Sequence, residues 1–258
     1  MNDPIRPIFW YQGLFLQPQH FQWQDLLHQF RLRPFQSYGH PYFWGFAKLR
    51  IQEDVLKNET FEIMECEALF QDGSWVVFPG NSTLSSRSFK GVWTEMDKPF
   101  NIYIGLRKWN PAGENVTEIK VPDDPAPADA RFVSRADPEE VRDFYQQAPH
   151  AQIKFLHHAV RIFWENELDG AGSYDLLPAA RLEFNGNEIV PARNFAPPSL
   201  TLTASPALTE TVKGIREELT LRCHVLEEYK RIGTSPATRG APSGDETNYT
   251  IFLLALRS

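Results

Sequence analysis

The first clear pattern of apolar and polar positions runs over residues 17–33. Trp23, Leu26, Leu27 and Phe30 recur at i, i+3, i+4 and i+7, which places them on one face of a helix. Pro18 sits in the first turn, where its missing N–H would be unpaired anyway, and Pro34 is expected to stop the run. Gln19, Gln22, Gln29 and Arg33 fall on the other face, which suits solvent or a polar interface.

From about residue 46 to 190 the pattern shortens. Runs rich in Val, Ile, Phe, Tyr and Trp at 46–51, 61–70, 75–78, 101–109, 153–164 and 181–184 alternate with turn residues. Asp72-Gly73 and Asn185-Gly186 read as tight hairpins, because glycine takes positive φ without a steric penalty. Asn110 to Gly113 reads as a further turn. Strands spaced this way predict an antiparallel β-sandwich or barrel-like domain. One short helix is expected at 138–147, capped by Asp137 and opened by Pro138. The proline-rich stretch 122–127 reads as an extended surface loop.

Pro197-Pro198 marks a change to helical texture. Ser205-Pro206 is an N-cap followed by a first-turn proline. Leu208, Val212, Ile215, Leu219, Leu226 and Tyr229 then form a heptad seam, with Arg222 at one seam position, and such a seam predicts self-association. Glu218–Arg222 and Glu227–Arg231 add i,i+4 ion pairs. Residues 233–244 read as a flexible link. A last helix from Asp245 or Thr247 carries Tyr249, Phe252, Leu253 and Leu256 on one face. The chain ends inside that apolar stripe, so either these helices pack on other chains or, as is expected here, the sequence is cut from a longer protein. The expected fold class is therefore mainly β with flanking helices. A β-rich domain spans 1–198, and a helical segment spans 199–258.

Composition narrows the function classes. With 42% hydrophobic and 23% charged residues, the 258-residue chain can build a core and is not generally disordered. A net charge of -7 argues against a surface built to coat nucleic acid or anionic lipid. Cys66 and Cys223 are far apart and form no CxxC, which suits reduced thiols. There is no signal-peptide pattern and no apolar run near the ~20 residues that span a bilayer, so a cytoplasmic location is expected. Without a secretory signal, the sequons at Asn58, Asn81, Asn115 and Asn248 are chance matches.

Candidate chemistry is sparse. His20 and His28 are eight apart, whereas a helical metal pair prefers i,i+4. His20 is expected to make a capping contact or to lie in an interface. The adjacent His157 and His158 would face opposite ways on a strand. Glu165 and Glu167 would share a strand face and are the only acidic pair that suggests a hydrolase. Acid/base work needs a cleft and one raised pKa, so a solvated edge is expected instead. Glu62, Glu65 and Glu67 read as a charged strand face, and Gly170-Ala171-Gly172 reads as a turn. Cys66 has no neighbouring base to make it a nucleophile. No catalytic, metal or cofactor site is expected. Phe9, Trp10, Tyr11, Leu14 and Phe15 put large apolar area beside the first helix, either as core plugs or as anchors for a partner's pocket. Seven tryptophans and eight tyrosines leave a sugar-stacking β-sandwich module as the alternative function.

The string from Trp10 to Gln22, followed by Asp25, meets every fixed position of W-x-x-G-x-x-L-x-P-Q-H-F-Q-x-x-D. In this it resembles the TssK family, also called ImpJ or VasE, of bacterial type VI secretion. Weaker family-like features follow in order: Trp44-Gly45, Phe70 to Gly73 leading to Phe78-Pro79, and Pro197 to Leu200 with Ala204 to Leu208. The resemblance implies a trimeric baseplate adaptor and not an enzyme. Its β-rich N-terminal shell, akin to the shoulder of phage receptor-binding proteins, would attach to the wedge of TssF, TssG and TssE. Its helical middle domain would trimerise. A C-terminal head, absent here, would contact TssL and TssM at the inner membrane. On that reading the interface residues are Phe9, Trp10, Tyr11, Leu14, Phe15, Gln19, His20 and Phe21. The oligomerisation seam runs through Leu208, Val212, Ile215, Leu219, Leu226 and Tyr229.

Overall fold

Helix α1 (Pro18–Tyr38) starts where the pattern predicts and runs past its predicted stop. Pro34 lies inside it, buried. A proline there forfeits one backbone hydrogen bond. The helix continues because Leu27 and Phe30, with Trp23 and Tyr38 at their side, pack with Ala47, Leu69 and Trp75 of the neighbouring sheet. In the computed structural model the described residues are 5–39, 42–119, 130–145, 147 and 149–233, without the side chains of residues 36 and 229–233. The chain divides into two compact units, Met1–Thr209 and Glu210–Ser258. The predicted loop at 122–127 and the predicted last helix lie outside the described residues.

The strands follow in chain order. They are β1 (Gly45–Ile51), β2 (Thr60–Phe61), β3 (Ile63–Leu69), β4 (Trp75–Phe78), β5 (Ser82–Thr83), β6 (Arg87–Ser88) and β7 (Phe100–Arg107). Then come β8 (Val116–Ile119), β9 (Phe132–Arg135), β10 (Glu139–Val141), β11 (Ala151–Ile153), β12 (Leu156–Trp164), β13 (Tyr174–Phe184) and β14 (Ile189–Pro191). One sheet has the order β1-β3-β4. The larger has the order β14-β13-β7-β12-β9-β8, with β5 beside β12, and β2-β6 and β10-β11 are small ribbons. Most pairs are antiparallel, but β8–β9 and β5–β12 are parallel, so the larger sheet is mixed. Asp72-Gly73 closes the β3–β4 hairpin with Gly73 at φ 83°, and Asn185-Gly186 closes β13–β14 with Gly186 at φ 92°.

The architecture is layered. Phe46, Cys66, Ala68 and Val76 of the small sheet face Ile102, Ile104, Val160, Ile162, Trp164 and Leu177 of the large one across the main core. The next residues along the same strands, Ala47, Leu69 and Trp75, point the other way, onto α1. A sheet covered on both faces has no reason to alternate apolar with polar, which is why Gly45–Ala47, Ala68–Leu69 and Trp75–Val76 are buried runs, while Lys48, Arg50, Glu65 and Glu67 alternate with apolar residues along the rest of β1 and β3.

The predicted helix at 138–147 is not formed. Its start is β10, which pairs with β11 in the register Glu139↔Ile153 to Val141↔Ala151. Val141, Ala151 and Ile153 join Ile8 and Phe155 in a small core, and Arg6 clamps Glu139 with two hydrogen bonds of 2.6 and 2.5 Å. Nonlocal burial outweighs the local capping signal.

Helix α2 (Pro206–Gly233) begins in the last residues of the first unit and continues as the described part of the second. At its start the Leu208 N–H donates to Ser205 Oγ at 3.4 Å, the expected N-cap bond.

Candidate interaction surface

The loop before α1 is tied down at both ends. Residues 7–9 run beside 154–156: the Leu156 N–H donates to the Pro7 carbonyl at 2.7 Å and the Phe9 N–H to the Lys154 carbonyl at 2.8 Å. The chain then turns, with the Leu14 N–H reaching the Tyr11 carbonyl at 3.3 Å and Gly13 at φ 88°. Only glycine takes that backbone conformation freely. At the helix entrance His20 Nδ1 accepts from the Gln17 N–H at 3.3 Å, the job a Glu or Gln does in a capping box.

Several polar residues of the string point inward, although Gln12 stays exposed. Gln19 is buried and donates to the Pro149 carbonyl at 2.8 Å. Gln22 donates to Asp143 and accepts from the Phe144 N–H at 3.0 Å. Trp23 Nε1 donates to the Arg6 carbonyl at 2.8 Å, and its ring lies 4.6 Å from that of Phe155. The helix face assigned to solvent or a polar interface therefore divides: Gln29 and Arg33 are exposed, while Gln19 and Gln22 are internal fasteners. His20 is fully buried too, so neither it nor Gln19 presents a side chain outward.

The apolar residues of the same string point outward. Trp10, Tyr11, Phe15, Leu16 and Phe21 are all exposed, Phe15 at 80%. Phe9 and Leu14 are half-buried. Trp10 leans over His20 with ring centroids 6.2 Å apart, and Lys154 Nζ sits 5.6 Å from the Tyr11 ring. Leu16 was not singled out by sequence reasoning, although its position within the string could have pointed to it. The other tryptophans behave differently. Trp75, Trp93 and Trp164 are in the core and Trp23 and Trp44 are half-buried, which leaves Trp109 as the other exposed indole. The stacking platform that a sugar-binding reading needs is largely spent on packing.

The acidic pair has structural work. Glu165 and Glu167 lie in a 3-10 turn, Glu165–Gly170, and not on a continued strand. Glu165 accepts from the Asn101 side chain at 2.7 Å. Glu167 accepts two hydrogen bonds from Arg87, at 2.6 and 2.5 Å, and one from the Trp164 N–H at 3.0 Å. Burial alone would raise the Glu167 pKa, but these partners hold it below the ordinary carboxylate value. A carboxyl kept ionised in this way does not suit general-acid work, and the expected solvated edge is replaced by a buttress under β7 and β12. Glu65 pairs with Lys48 at 2.6 Å, as a charged strand face should. The Cys66 thiol is buried and pushed up by desolvation, which makes it a poor nucleophile. Among the described residues no group of His, Cys, Asp and Glu could hold a metal ion, and no helix is long and apolar enough to cross a membrane.

On α2 the seam is uncovered. Val212, Ile215 and Leu219 are 39%, 54% and 47% exposed, with Leu208 and Leu226 half-buried. Leu221 and Val225, outside the predicted seam, are exposed as well. Glu218 pairs with Arg222 at 2.5 Å as expected. The Tyr229 and Arg231 side chains are not among those described.

The profile of the bacterial type VI secretion family described as VC_A0110, EvfL, ImpJ, VasE matches residues 20–257, and the chain belongs to that family. Over 216 residues it is 27% identical to the type VI secretion system baseplate component TssK1 of Pseudomonas aeruginosa strain PAO1. That match covers 80% of this chain and 45% of the relative, so the chain spans only about half of the relative's length. A crystal structure of TssK superposes with a TM-score of 0.67 at 20% identity, covering 97% of this chain and 53% of the other. A baseplate complex from the type VI secretion system gives 0.67 at 20% identity, covering 98% and 78%. A cryo-electron-microscopy structure of a TssK-TssF-TssG baseplate subcomplex gives 0.63 at 20% identity, covering 87% and 72%. At such identities the likeness establishes the fold, which is TssK-like.

Proposed function

We propose that this chain is the wedge-facing part of a type VI secretion baseplate adaptor and performs no catalysis. The β-rich region, residues 1–198, is the shell that binds TssF and TssG, together with TssE, and residues 199–258 begin a trimerising helical domain. Contact with TssL and TssM at the inner membrane would fall to a C-terminal head beyond this sequence, and the protein would act on the cytoplasmic side. The observation that carries the reading is the division of labour inside one short string. Gln19, Gln22 and Trp23 fasten it to the body and the buried His20 caps the helix within it, so that Trp10, Tyr11, Phe15 and Phe21 are held outward. Rigid, exposed aromatics beside one another are what a protein partner's pockets take up. The related TssK that was solved with TssF and TssG supports the choice of partner. The exposed α2 seam supports self-association.

The test is co-purification of this chain with its cognate TssF and TssG, run beside mass determination by light scattering. A stable complex and a trimeric mass are expected. No association with the two partners would reject the adaptor reading. A strictly monomeric mass would reject self-association through the seam.

A further inference from the structure

Helix α1, the β3–β4 hairpin, β9 and β12 converge on a cavity of about 320 Å³, away from the aromatic string described above. Three cationic or imidazole side chains line it. The Arg131 guanidinium is nearly buried and donates to Asp72 at 2.6 Å, to Ser74 Oγ at 2.7 Å and to the Arg107 carbonyl. Those bonds use three of its five N–H groups and neutralise Asp72. His158 is buried and its Nδ1 has no hydrogen-bond partner; burial and then Arg131 press its pKa down to about 3, so it stays neutral. Arg31 has no hydrogen-bond or ion-pair partner among the described residues. Its side chain is exposed at the mouth, yet enough protein crowds the guanidinium to lower its pKa through desolvation, and it stays charged. Trp109, 63% exposed, stands in the wall.

We infer that this cavity is a binding site for a carboxylate, held between the Arg31 guanidinium and the unused N–H groups of Arg131, with the body of the ligand against Trp109. The charge count selects the class. Arg131 and Asp72 cancel, and so do the next charges out, Asp175 and Lys108, so Arg31 leaves one positive charge for one negative charge. Inorganic phosphate is in part a dianion at pH 7, and the second charge of that form would meet Asp72 unbalanced. The fork of a guanidinium also matches the two oxygens of a carboxylate. The volume is at the lower end of ligand pockets, which run from roughly 300 to 1,000 Å³, so the ligand is a short acid or a single acidic side chain.

The chain labelled with 5-fluorotryptophan reports on the site, the Trp109 signal being assigned by Trp109→Phe. At pH 7 and constant ionic strength it is titrated with butyrate, with N-acetylglutamate N-methylamide, with the matching glutamine amide and with inorganic phosphate. A saturable shift of the Trp109 signal by one or both carboxylates, weakened at least about tenfold in Arg31→Gln, establishes the site. The better of the two then says whether a free acid or a protein side chain is its source. Arg31 ties together nothing else among the described residues, so that variant should keep the fold, which the other tryptophan signals report. No saturable shift, an equal response to phosphate or the glutamine amide, or an unchanged response in Arg31→Gln overturns the inference.

Discussion

The β-rich unit and helix α2 treat apolar side chains in opposite ways. In the first, Phe46, Ile102, Trp164 and Leu177 are between 0% and 1% exposed, closed off by neighbours from the same chain. In the second, Ile215 and Leu219 stay about half exposed on an otherwise charged helix. Burying such a side chain is worth about 1.5–3 kcal/mol. The β unit has already collected that energy within the chain. The exposed positions of the helix have not, so the first region is read for stability and the second for the self-association proposed above.

Three variants would sharpen or break the contrast. Trp164→Ala removes the largest fully buried side chain and should cost about 3–5 kcal/mol in urea unfolding followed by near-ultraviolet circular dichroism. A loss below about 1 kcal/mol would mean the main core is not where the stability lies. Acid should act next, and on the β unit. Burial and Arg6 lower the His157 pKa from 6.5 to about 4, and burial lowers that of His158 to about 3. Below pH 6.5 the unfolded chain therefore binds protons that the folded one refuses, and stability falls as pH falls. Glu139 and Glu167, held below the ordinary carboxylate value, add a second loss once pH drops through their folded pKa values. His157→Gln with His158→Gln should flatten the slope of the urea midpoint between pH 6.5 and 4.5, and an unchanged slope would mean these imidazoles are protonated in the fold. The smallest effect on stability belongs to the seam. Ile215→Asp with Leu219→Asp should leave the β unit's unfolding within about 0.5 kcal/mol while light scattering shows the assembly dissociating to monomers. A seam that tolerates both aspartates would place self-association elsewhere.

How much of this was readable in advance depended on whether the signal was local. Asp72-Gly73 and Asn185-Gly186 announced their hairpins because positive φ is a property of the residue itself. The Pro18 start and the Ser205 cap were local in the same sense. Pro34 and the segment from Glu139 misled because partners far along the chain overrode their preferences: Trp75 and Ala47 for the helix, Ala151 and Ile153 for the strand. Glu165 and Glu167 found work at Asn101 and Arg87, which no spacing rule foretells. In the Trp10–Gln22 string the residue types were readable but not their directions. Polar Gln19 and His20 went inside and apolar Phe15 and Phe21 stayed outside, the reverse of what burial by polarity predicts. An inversion of that kind marks a surface built for something other than the chain's own stability.

The central claim is that this inverted string is the contact with the baseplate wedge. The direct measurement is the affinity of the chain for its cognate TssF–TssG complex, before and after Trp10→Ala with Phe21→Ala. Both residues are exposed, so unfolding should shift by no more than about 1 kcal/mol. Binding should weaken by at least about a hundredfold, as expected when two aromatic anchors are lost. Wedge affinity unchanged in a folded double variant would contradict the account.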